Sequence, residues 1–207
     1  MQLVWRCGFG QLVAGIFVIL FCGQLAAGAA FFLALFILLY NFSHKFFTAS
    51  PWLMGACRFW VYVIAGAAGV NGLNGWPIFC GLALALYVVG LSYVARRESF
   101  RTAIPHWPLL LLAAPIILAM LMNTGSYRLA AVWVSLLLGF WIIHCVRTIF
   151  LGGGVNVGYI VTNLLAGIVL VDWLAICPVE PHRVVVIIIF LSLFGLTQWL
   201  QKFVPAT

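Results

Sequence analysis

The sequence predicts an all-α, polytopic transmembrane bundle of about eight helices, and three observations predict it. Only 6% of the 207 residues are charged, against about 25% in a soluble domain, and mean hydropathy is +1.22. Apolar segments of about 20 residues recur to the end of the chain, the length a helix needs to cross the hydrocarbon layer. No segment alternates over about 10 residues, as the strands of a membrane barrel would.

The helices are predicted at about 4–22, 25–42, 51–69, 76–95, 107–123, 128–147, 155–175 and 183–203. In the first, Arg6, an apolar run and Ala26-Ala27-Gly28 imitate a secretory signal peptide. Apolar character resumes at Phe31 with no polar mature start, so the segment reads as a retained helix. Gly23-Gln24 makes a tight turn into the second helix, and 41–50 is a polar loop carrying His44 and Lys45. Thr48 and Pro51 open the third helix; proline in a first turn is tolerated because its missing N–H has no intrahelical partner there. Asn71-Gly72-Leu73-Asn74-Gly75 is a turn run before the fourth helix. Residues 96–108 form the longest polar segment, and breaks at 123–126, 152–156 and 178–182 separate the last three helices. One transmembrane helical domain over 1–207 accounts for all of it.

Charge placement bears on orientation. With the N-terminus inside, the inner ends hold Arg6, Lys45, Arg96, Arg97, Arg101, Arg147 and Lys202, and the outer ends only Arg128 and Arg183. The positive-inside rule then gives N-in, C-in topology, and the expected location is a bacterial inner (cytoplasmic) membrane. A net charge of +7 scattered over helix ends is a topology signal and argues against nucleic acid as a partner. The six cysteines lie one per apolar segment without C-x-x-C or nearby His, and read as buried apolar residues.

Some residues stand out chemically. Arg58 lies about two turns inside the third helix, where a cation costs roughly 2.5–3.5 kcal/mol, so it faces a polar cavity or hydrogen-bonds carbonyls of the bundle. Arg96-Arg97-x-x-x-Arg101 reads as an anchor on anionic lipid headgroups. Asp172, inside the seventh helix, is expected neutral or paired with a polar neighbour such as Asn163 or a basic group; a proton-relay role lacks a second intramembrane acid. His144 reads as a structural hydrogen-bonder. Gly152-Gly153-Gly154 lacks the strand and lysine of a phosphate loop and reads as a turn.

Residues 40–69 resemble the central part of the UbiA family of intramembrane prenyltransferases. That family places a threonine three residues after a lysine and a proline three beyond, as Lys45, Thr48 and Pro51 stand here. Its tyrosine-bearing helix, leading into a second polar loop, is matched by Tyr87, Tyr93 and Ala95-Arg96-Arg97-Glu98-Ser99. The resemblance extends in order and hydropathy from about residue 30. It implies a UbiA-like fold and transfer of an isoprenyl group, an alkyl or aryl transfer other than methyl, from a prenyl diphosphate to a lipophilic or aromatic acceptor. It implies diphosphate binding by Lys45, Arg58, Arg96, Arg97 and Arg101, and Mg²⁺ as cofactor with Glu98 as a ligand.

The departures are large. The family's Asn-Asp-x-x-Asp-x-x-x-Asp motif is absent, the second motif keeps only Glu98, and the chain's acids are Glu98, Asp172 and Glu180. By helix order the chain starts near the family's third helix, which implies that the first two are missing. A competing class is therefore a non-catalytic membrane component, a protein partner or lipid-binding bundle. A small transporter ranks last, because the halves show no self-similarity.

Overall fold

The structure, a computed structural model, describes residues 2–43, 48–70, 72–96, 107–150, 157–177, 183–201 and 203. Among these it contains eight α-helices and no strand: α1 (Gln2–Leu20), α2 (Gln24–Ser43), α3 (Ser50–Ala68), α4 (Gly75–Ala95), α5 (Trp107–Met122), α6 (Arg128–Phe150), α7 (Val157–Ile176) and α8 (Arg183–Leu200). The expected boundaries hold to within a few residues; α6 runs on past 147 to Phe150. Helices α2, α4, α6 and α7 are long and apolar enough to cross a membrane, while α1, α5 and α8 carry shorter apolar stretches. Outward faces bear large hydrophobics such as Phe21, Phe42 and Leu110, a surface matched to lipid tails rather than to water. The chain is an all-α membrane protein.

Two compact units divide between Ala85 and Leu86, inside α4. In the first, α1 passes to α2 through Gly23 at φ 124°, a backbone conformation that favours glycine. Helix α2 packs on α1 and more extensively on α3. Its buried residues are Ala26, Ala27, Ala29, Ala30 and Ala34, and side chains this small let backbones approach closely where lipid supplies no hydrophobic drive. Trp60 of α3 stacks on Phe32 at 5.0 Å and on Phe36 at 6.4 Å. Beyond α3 the chain turns through Gly69, whose N–H bonds the Gly66 carbonyl, and Asn74 caps the next helix by accepting from the Trp76 N–H at 3.0 Å. The start of α4 lies so close to α3 that a Cβ on Gly66 would sit 2.6 Å from the Pro77 ring.

In the second unit, the end of α4 packs antiparallel on α5. A Cβ on Gly90 would meet the Pro108 carbonyl at 2.7 Å, and Tyr93 meets the Trp107 ring edge-on at 4.6 Å. A 3₁₀ turn (Gly125–Tyr127), with Gly125 at φ 69°, reverses the chain into α6. Helix α6 packs on α5 and α7, and α7 on α8. Trp173 stacks on Phe190 at 5.9 Å, and Trp141 meets Phe194 edge-on at 4.8 Å. Consecutive helices alternate in direction. One end of this unit therefore gathers the C-termini of α4, α6 and α8, and the other gathers those of α5 and α7.

Candidate functional site

The centre of the second unit is held by side chains that bond to the backbone of α7. Tyr87, fully buried on α4, donates from Oη to the Leu164 carbonyl at 2.8 Å. One residue earlier, the Asn163 carbonyl accepts from Trp141 Nε1 of α6 at 2.9 Å. A hydroxyl or indole N–H inside a membrane protein must find an acceptor, and α7 offers two adjacent ones. Asn163 Nδ2 bonds the Tyr159 carbonyl of its own helix at 2.7 Å. Gly167 lies directly under the tyrosine: a Cβ there would collide with Tyr87 Oη and meet Trp141 at 3.4 Å. Tyr87 thus pins α4 to α7. His144 stacks between neighbours of its own helix, Phe140 at 6.4 Å and Trp141 at 6.0 Å.

The residues singled out in the sequence distribute as follows. Thr48 is exposed in the turn before α3, and Pro51 is buried in that helix's first turn. Arg58 is exposed at the middle of α3, and no described residue accepts a hydrogen bond or ion pair from it. Arg96 is half-buried in the turn that closes α4, its N–H bonded to the Ser92 carbonyl at 3.1 Å. Lys45, Arg97, Glu98, Arg101 and the Gly152–Gly154 run lie outside the described residues. Asp172 is half-buried near the C-terminus of α7.

The end of the second unit that carries Arg96 also carries Arg147, in the last turn of α6, and the amides of Gln198 and Gln201 at the end of α8. Gln198 Nε2 and Gln201 Oε1 are buried without a hydrogen-bond partner among the described residues. A buried amide left unpaired costs about 1–3 kcal/mol; Asn123 Oδ1 and Ser135 Oγ are likewise buried without a partner among the described residues. Sequence reasoning missed both glutamines. Their signal was two amides three residues apart at the end of a largely apolar helix, hence on one face.

Asp172, the one acid among the described residues, does not lie there. From the Tyr87–Leu164 contact, Arg96 lies nine residues on along α4 and Asp172 eight residues on along α7, in opposite directions. At about 1.5 Å per residue the two are roughly 25 Å apart along the bundle. Glu98 and Glu180 lie outside the described residues. Among the described residues no three His, Cys, Asp or Glu side chains group as metal ligands. A Mg²⁺ site built on several carboxylates finds no such donor set among the described residues. No model of a known protein family, no curated protein and no solved structure matches the chain.

Proposed function

We propose that this chain is a UbiA-like membrane protein that binds an isoprenyl diphosphate at its basic ends. The observation that carries the reading is the polar end of the second unit, where Arg96 and Arg147 share a level with the unpaired amides of Gln198 and Gln201. Guanidinium groups match phosphate oxygens in geometry and charge, and the amides offer further hydrogen bonds. The Lys45, Thr48, Pro51 spacing in the first unit supports the family resemblance. The topology proposed with it is N-in, C-in in a bacterial inner membrane.

These residues bind rather than transfer. Ionising an allylic diphosphate builds negative charge on the leaving group, and preorganised countercharge is the largest contribution to such catalysis. Arginines and glutamines supply part of it. Carboxylate-held Mg²⁺ would have to come from an assembly in which another membrane chain contributes the acids. Transfer to a lipophilic or aromatic acceptor is proposed only for that assembly.

The test is titration of farnesyl diphosphate, and of farnesol, onto the full chain in lipid nanodiscs. Saturable binding of the diphosphate, at least about tenfold tighter than the alcohol, is expected from a charge-assisted contact of about 1.5 kcal/mol or more. Equal affinity for both compounds, or no binding, sinks the reading.

A further inference from the structure

The opposite end of the second unit carries a groove that the proposed diphosphate site does not use. It encloses about 610 Å³ and is lined by α6, the end of α7 and the first turns of α8. Its floor is Val134, Trp173 and Cys177, all buried, and its walls are the exposed side chains of Leu129, Trp133, Leu136 and Leu137, with Ile187 opposite. Positions 129, 133, 136 and 137 fall on one face of α6 and span nine residues, about 12 Å of helix. The volume is that of a small-molecule site.

Both α6 and α7 are long and apolar enough to cross the membrane, so this groove opens onto lipid. A dry apolar recess of that size forfeits dispersion contacts unless something fills it. A length of about 12 Å is too short to seat a spanning helix of about 20 residues. It suits part of an acyl chain. The rim supplies a charge: Arg128, exposed, is the first residue of α6 and immediately precedes the groove wall at Leu129. Trp133 stands on the wall within two turns of that rim, where an indole favours the headgroup layer.

We propose that this groove seats one acyl chain of an anionic phospholipid whose headgroup meets Arg128. The cation selects the headgroup, and the apolar walls hold the chain. The site is independent of the diphosphate reading, being at the other end of the unit.

The experiment is native mass spectrometry of the full chain released from detergent with phosphatidylglycerol or phosphatidylcholine. One phosphatidylglycerol per chain is expected to persist after most phosphatidylcholine is lost. Arg128→Gln lowers that preference about fivefold, the attraction of one arginine to an anionic surface. Ala130→Trp fills the groove and removes retention of both lipids. Brominated-chain phosphatidylglycerol added to the unaltered chain quenches tryptophan fluorescence, and this readout needs no variant to fold. Equal retention of the two phospholipids overturns the assignment. So does unchanged retention in a folded Ala130→Trp variant, or displacement of the phospholipid by stoichiometric polyisoprenyl phosphate.

Discussion

Tyr87 Oη donates its hydrogen bond to a backbone carbonyl, that of Leu164, 77 residues along the chain. The acceptor belongs to a helix that Gly167 keeps open for it. Tyr87 is thus a rivet between α4 and α7. The pair makes the first prediction. Tyr87→Phe should cost about 0.5–1.5 kcal/mol through loss of the bond. Gly167→Ala should cost about 1–3 kcal/mol through overpacking. Because the collision is with the hydroxyl, Gly167→Ala should cost at least about 1 kcal/mol less in the Tyr87→Phe background. Equilibrium unfolding in mixed detergent micelles measures all three, and simple additivity would remove the collision as the cause.

Glycines at open and closed places should respond with opposite signs. Gly66→Ala drives a methyl into the Pro77 ring and should lower stability by about 1–3 kcal/mol. A methyl added at Gly8 on α1 would meet nothing within 4 Å beyond its own helix and chain neighbours, so Gly8→Ala should be neutral or stabilise by up to about 1 kcal/mol. Thermal unfolding of the two variants side by side checks the contrast.

Diphosphate binding should depend on cations and not on metal. Arg96→Gln and Arg147→Gln should each weaken farnesyl diphosphate binding about tenfold, the worth of one charge-assisted contact. Treatment with EDTA should change the affinity by less than about twofold, since a shift of that size is under 0.5 kcal/mol. A large loss on chelation would mean that Glu98 and groups from elsewhere do hold a metal.

Orientation follows from the positive-inside reading. Thr124 is exposed between α5 and α6, at a level that this reading puts outside. In a variant with the native cysteines replaced by alanine, Thr124→Cys should react with a membrane-impermeant maleimide added to intact cells. Labelling only after permeabilisation would reverse the assigned topology.

The helices were legible because their breaks are chemical. Gly23 has to adopt φ 124°, and the 71–75 run supplies both Gly72 at φ 63° and the Asn74 cap. Lipid also demands long apolar segments, which leave little room for error. What a helix touches is another matter. Nothing near Tyr87 in the sequence points to Leu164, because a backbone carbonyl acceptor carries no residue signature. The groove was equally hidden: Leu129 and Trp133 read like any lipid-facing residues until Trp173 and Cys177 close a floor behind them. Arg58 was legible as an oddity, and its exposure on α3 shows that the helices around it do not bury it in a cavity of their own.

The alanines buried along α2 carry a consequence for how the first unit assembles. Freezing a leucine or methionine at an interface sacrifices rotamers, whereas Ala26, Ala27, Ala29, Ala30 and Ala34 have none to lose. The alanine face of α2 therefore forms its contacts without freezing rotamers, while Phe32, Phe36 and Trp60 are rings that are fixed. Heating, which magnifies every entropic penalty, should weaken that alanine face less than one built of leucine or methionine.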